Sequence, residues 1–190
     1  MKHHILYIPG LGDGYDPLRQ RALRLWSIFS VNAQLLPMQW FGDEPYDTKY
    51  QRASEAIIDL AKTGAKITLV GESAGGSMAI NLFATHPQVA NLVTIAGVNQ
   101  VATPVAAYTL RRGPAFAVSR QRISKSLSQI SDSRRRHIYT VSALIDAVVM
   151  ARYSYIPKAH NRRIWSVGHL FTIALCLTLL SGYVVYLAKR

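Results

Sequence analysis

The sequence predicts an α/β fold: a mostly parallel sheet of about six strands with helices on both faces. Three observations carry this expectation. Short apolar runs recur along the chain, most of the early ones end in a turn marked by glycine or proline, and amphipathic stretches of helical period separate them. Buried parallel strands joined by right-handed crossovers produce this alternation. With 190 residues the chain is long enough for one domain with a full core, and 1–190 is read as that domain.

The first strand is Ile5–Ile8, closed by the loop Pro9-Gly10-Leu11-Gly12-Asp13-Gly14. Asp16 stands where an N-cap belongs and Pro17 at the first helical position, and the helix they open runs through Phe29. A strand follows near Ala33–Pro37. Thr48 and Gln51 have the spacing of a capping box, and Ala53, Ile57, Leu60 and Ala61 share one face of the next helix, which Gly64 closes. Ile67–Val70, a turn at Gly71–Gly76, a helix to about Ala84 and a strand at Leu92–Ile95 complete the regular part. His137–Ser142 and Arg163–Val167 are the remaining strands. Between them and the regular part, 101–135 lacks a strand and is rich in Ser, Arg and Ala. Phe116, Ile123, Leu127 and Ile130 give it an amphipathic helix with a basic outer face, and it reads as a small cap-like insertion.

Charge is unevenly distributed. Residues 1–100 hold eight Lys/Arg and eight Asp/Glu, whereas 101–190 hold fourteen basic residues and two acidic ones, Asp132 and Asp146. The net +12 therefore lies wholly in the second half. Such asymmetry fits an anionic partner or a solvated basic face. Nucleic acid is disfavoured, because no recognition motif with base-stacking aromatics lies among the arginines. The single cysteine, Cys176, excludes an internal disulfide and any multi-thiolate metal site. The apolar run Ile5–Ile8 is too short for a secretory signal, so the expected location is the cytoplasm, with membrane association as the alternative.

The chemistry concentrates at Gly71-Glu72-Ser73-Ala74-Gly75, a G-x-S-x-G sequence between a strand and a helix. A sharp turn there exposes the serine hydroxyl at the positive end of a helix and demands small residues two positions to either side. A serine needs a base, and the base needs an orienting group. His3, His4 and His137 open strands, far from the carboxyl-terminal sheet edge where sites gather, and His86 lies beyond the helix that follows Ser73. His169 follows a strand end directly and is the better candidate. His160, which precedes that strand, is the weaker one and reads as a surface-loop residue. Of the carboxylates beyond the serine, Asp132 faces three arginines at a helix end. Asp146 follows the strand His137–Ser142 and is the better acid, its rival role being an N-cap for 147–151. Two backbone donors are needed for a developing oxyanion: the amide of Ala74, next to the serine, and that of Leu11 in the glycine loop.

From the Pro9–Gly12 loop through Gly71–Gly75 to Asp146 and Gly168-His169, the chain resembles a small α/β-hydrolase. The order Ser73, Asp146, His169 is the order of that fold. Pro9-Gly10 stands where the family commonly has His-Gly, two leading antiparallel strands are missing, and the large cap is reduced to 101–135. The resemblance implies cleavage of carboxylic ester or thioester bonds in a small acyl substrate, with no metal and no cofactor. An amide hydrolase with the same triad, and a non-catalytic membrane-associated adaptor using the basic half, are the alternatives. The charge-free stretch Leu170–Ala188 has the length of a membrane span, yet a helix after the histidine is what the fold uses to cover its last strands. Covering the sheet is the preferred reading, membrane contact the other. The arginines and lysine of the insertion (Arg111, Arg112, Arg120, Arg122, Lys125 and 134–136) are the expected contacts with an anionic membrane surface.

Overall fold

The computed structural model describes residues 3–190. Its six strands are β1 (His3–Ile8), β2 (Asn32–Leu35), β3 (Lys66–Glu72), β4 (Val89–Ile95), β5 (Ile138–Ile145) and β6 (His160–Val167). They form one sheet in the order β2-β1-β3-β4-β5-β6, and every pairing is parallel. The strand order reverses direction between β1 and β3, so the loops that leave those two strands meet at a crevice on the carboxyl edge. The fold class is therefore the α/β class expected, with no antiparallel strand among the described residues.

Helices cover both faces. On one lie α2 (Tyr46–Lys62), α3 (Gly75–Thr85) and α5 (Pro114–Gln129), which bury Ile57, Met78, Phe83, Phe116 and Ile123 against the sheet. On the other, α1 (Asp16–Leu25), α8 (His169–Leu177) and α9 (Ser181–Lys189) enclose a second core around Trp26, Val93, Cys176 and Val184. Three short helices complete the chain: α4 (Ala107–Arg112), α6 (Asp132–Arg135) and α7 (Ala151–Ser154). Burial lifts the Cys176 thiol to a pKa of about 12, so it behaves as a core group.

Several local expectations are corrected. Asp16 lies inside α1 rather than capping it, and its carboxylate accepts from Arg19 at 2.9 Å; the last turn, Trp26–Phe29, tightens to a 3-10 helix. Thr48 is not a cap, because α2 already starts at Tyr46 after Pro45. Strand β6 begins three residues before the expected start at Arg163. His160 is its first residue, paired with Tyr139 and stacked on that ring at 4.9 Å, not a loop residue. An edge strand made of His, Asn and Arg carries no apolar signal, so hydrophobicity alone places its start too late.

The segment 101–135 is also different in kind. Its long helix, α5, packs on α3 as an ordinary crossover helix, and only 103–109 and Phe116 reach the carboxyl edge. Part of its charge is structural. Arg134 donates to the carbonyls of Phe83 (2.9 Å) and His86 (2.8 Å) at the end of α3. Arg135 does the same for Ile130 (3.1 Å) and Leu127 at the end of α5. These guanidinium groups satisfy the carbonyls that helix ends leave unpaired. Arg120 likewise donates to the Thr103 carbonyl at 2.8 Å.

The C-terminal stretch divides into α8 and α9, bent by 73° at a break, and among the described residues no single helix is long and apolar enough to cross a membrane. Both halves lie on the sheet. Thr68 and Asn91 side chains donate to the Ala188 carbonyl at 2.8 and 2.9 Å, and the Trp26 indole donates to Leu177 at 3.0 Å.

Candidate active site

Between the end of β3 at Glu72 and the start of α3 at Gly75, the chain turns through Ser73 and Ala74. Ser73 has φ 49°, in the left-handed region that a residue with a side chain enters only under constraint. Backbone bonds supply the constraint. The Ser73 amide donates to Ile95 at 2.9 Å, and its carbonyl accepts from Gly76 at 3.0 Å and Val98 at 2.9 Å. The flanking glycines are steric necessities. A Cβ on Gly75 would sit 2.2 Å from the Ile8 carbonyl oxygen, and one on Gly71 would sit 2.7 Å from that of Gly75. G-x-S-x-G is thus the only pattern of side chains this elbow admits at those positions.

The elbow aims the hydroxyl at a histidine from the far end of the chain. His169, the first residue of α8, places Nε2 at 2.8 Å from Ser73 Oγ and Nδ1 at 2.7 Å from Asp146 Oδ2. Gly168 precedes it with φ 95°, the backbone turn that lets β6 pass directly into α8. Asp146 divides its two oxygens: Oδ2 meets the imidazole, while Oδ1 accepts from the amides of Val148 (2.8 Å) and Val149 (3.0 Å). One carboxylate thus meets the His169 ring and also bonds two following amides, capping a turn and not a helix. Burial pushes its pKa up, but the bonds from His169 and the two amides outweigh this and hold it below the usual carboxylate range. Asp132, by contrast, pairs with Lys158 at the surface, and His160 is remote on β6.

The amides of Leu11 and Ala74 donate to no acceptor among the described residues, and both residues border the pocket at Ser73. Gly10 brings the loop so close that a Cβ there would lie 2.8 Å from Ser73 Cβ. The pocket holds about 310 Å³, and Val98, Val105, Phe116, Val148 and Val149 give it apolar walls. Among the described residues, no group of three or more His, Cys, Asp or Glu side chains is placed to hold a metal ion.

Sequence reasoning missed what anchors the Leu11 loop. Glu72, the residue before the serine, is buried at 1 % exposure. Its carboxylate accepts from the Gly10 amide (3.2 Å), from Arg19 Nε (3.1 Å) and Nη2, and from the Tyr7 hydroxyl. Arg19 in turn donates to the Gly12 carbonyl at 2.9 Å, so the loop is tied on both sides of Leu11. Burial and the neighbouring Glu72 charge drive the Tyr7 pKa well above its ordinary value, keeping the phenol a donor. Trp40 adds a third tie, its indole donating to the Pro9 carbonyl at 2.9 Å. The available signal was a charged residue inside the turn motif, between Gly71 and Ser73.

No protein-family model matches the chain, and no curated protein matches it in sequence. Solved structures do match in shape. A monoacylglycerol lipase from Paleococcus ferrophilus superposes with TM-score 0.65 at 12 % identity, covering 98 % of this chain and 94 % of that one. A structure reported with the metagenome-derived lipolytic enzymes LipS and LipT gives TM-score 0.71 at 9 % identity, covering 100 % and 95 %. The pyrethroid hydrolase PytH gives TM-score 0.65 at 15 % identity, covering 100 % and 98 %. With the six-stranded parallel sheet, these likenesses show the α/β-hydrolase fold.

Proposed function

We propose that the protein is a serine hydrolase acting on carboxylic ester or thioester bonds through an acyl-enzyme. The observation that carries this reading is the continuous hydrogen-bonded line Asp146–His169–Ser73, ending on a serine in strained backbone geometry. Ser73 Oγ attacks the acyl carbonyl while His169 Nε2 takes its proton, and the Asp146 carboxylate holds the ring with Nδ1 protonated and stabilises the imidazolium. The oxyanion forms between the amides of Leu11 and Ala74, whose donors are free for it. His169 then returns the proton to the leaving alcohol or thiol. Water, activated by the same imidazole, releases the acid.

The apolar pocket of about 310 Å³ receives the acyl group, and its volume favours small substrates, since ligand pockets usually span about 300–1,000 Å³. The structural neighbours include a monoacylglycerol lipase, a lipolytic enzyme and a pyrethroid hydrolase, which supports an ester-cleaving chemistry. The test is a matched panel of p-nitrophenyl esters, acyl thioesters and anilides of increasing acyl length. Ester or thioester turnover by the wild type, lost in Ser73→Ala, is expected. Turnover of anilides alone would make the protein an amide hydrolase. Turnover of none, by a folded protein, would overturn the reading.

A further inference from the structure

Single exposed apolar residues are ordinary on a protein surface, but a contiguous set is not. Ile145, Val148, Trp165 and Val167 are all more than half exposed. They come from the ends of β5 and β6 and the loop carrying Asp146. Ile145 pairs with Val167, and the Gly168 amide bonds the Ile145 carbonyl at 2.8 Å, which sets the strand ends side by side just before His169. Along β6, Ile164 and Ser166 turn towards α8, so Trp165 and Val167 face the opposite side, where β5 is followed only by the four-residue α7. Trp165 is 90 % exposed as a result.

Cations border this surface. Arg152 and Arg163 share a cleft with Ile145. Neither is in an ion pair among the described residues. The two carboxylates of 101–190 are engaged elsewhere, Asp132 by Lys158 and Asp146 by His169. We infer that this face docks on an anionic lipid bilayer, with Trp165 and Val167 in the interface and Arg152 and Arg163 on the headgroups. An indole with an apolar body and a polar N–H fits the bilayer–water boundary, and arginines near an anionic surface add attraction within a Debye length. A second copy of the chain fits poorly, because a two-fold contact here would set the two arginines against their own counterparts with no carboxylate between them. The docking face is thus the apolar rim, not the basic helix α5, where Arg120 is tied to the Thr103 carbonyl and Arg122 to Asp47.

Tryptophan emission tests this without any reference to catalysis. Trp26 and Trp40 are fully buried, so a change on adding vesicles reports Trp165. Full-length protein is mixed with phosphatidylcholine vesicles with or without phosphatidylserine, and emission and co-sedimentation are read as salt is raised. A blue shift and co-sedimentation with phosphatidylserine vesicles are expected, weakening with salt and absent with phosphatidylcholine alone. Replacing Arg152 and Arg163 together by Gln should weaken binding about 30-fold. Trp165→Ser should remove the shift while leaving weaker co-sedimentation. Failure of the wild type to bind phosphatidylserine vesicles at low salt would overturn the inference. So would binding that the arginine replacements leave intact, or an emission shift that grows with protein concentration in the absence of vesicles, which would assign the face to a second copy.

Discussion

The two flanks of Ser73 are built on different principles. On the β1–β3 side, a buried carboxylate, a guanidinium and a phenol bind one another and the Leu11 loop, so that nearly every polar group has a partner. On the β5–β6 side the site is closed by strand ends, a turn and the start of a helix, with large apolar side chains left in solvent. A satisfied buried network resists displacement, because breaking any one bond strands a charge in a dry environment. An open apolar rim has no such rigidity and offers instead a surface to whatever approaches. The first flank fixes the Leu11 loop beside Ser73; the second leaves apolar side chains open at the same sheet edge.

The sharpest perturbations should therefore fall on polar groups next to the serine. Asp146→Asn is expected to lower kcat/KM by about 10⁴-fold with the fold retained, because the ring then loses its correct tautomer. Steady-state kinetics with thermal melting checks it, and Asp132→Asn, which alters only a surface pair with Lys158, should change turnover little. Glu72→Gln leaves the buried Arg19 with Asp16 as its one remaining carboxylate and should cost about 3 kcal/mol in urea unfolding. If Glu72 also positions the Leu11 loop, kcat falls by about 10–100-fold with KM nearly unchanged, since the displaced donor acts in the transition state. Adding Arg19→Met should restore part of the stability and none of the turnover. Recovery of both together would mean the network serves stability alone.

Most of the site was legible in the sequence because its demands are local. The elbow needs two glycines at fixed offsets, and the base and acid must each follow a strand end, which left one strong choice for each. The Glu72 network was not legible. Tyr7, Arg19 and Glu72 are brought together only by the pairing of β1 with β3 and by the packing of α1 across them, and 53 residues separate Arg19 from Glu72. The basic excess misled for a related reason. Arg134 and Arg135 look solvated in sequence, whereas the fold turns them onto unpaired helix carbonyls that no residue count reveals. The β6 boundary failed because an edge strand can be polar along most of its length.

Smaller effects separate the flanks further. His3, at the start of β1, bonds the Thr68 hydroxyl at 3.0 Å, and burial, then the nearby Lys66 and Lys189 charges, lower its pKa to about 4. The unfolded chain takes up a proton near pH 6.5 that the folded chain refuses until about pH 4, so stability falls as pH drops through that window. Urea titrations from pH 7 to 4 should show a loss of about 2 kcal/mol for the wild type, largely removed in His3→Gln. Trp165→Ala should change stability by less than about 0.5 kcal/mol, whereas Trp40→Ala, at a site with no exposure, should cost about 3–5 kcal/mol. Equal costs at the two tryptophans would mean that the β5–β6 face is covered in solution.

The central claim is that Ser73 is a nucleophile activated by His169. Intact-mass measurement after incubation with a fluorophosphonate tests it most directly, since the probe phosphonylates an activated serine whatever the natural acyl substrate. The wild type should gain one adduct, mapped to the peptide containing Ser73, Ser73→Ala should gain none, and His169→Ala should react far more slowly. An adduct of equal extent on Ser73→Ala, or a wild type that stays unmodified while folded, would contradict the account.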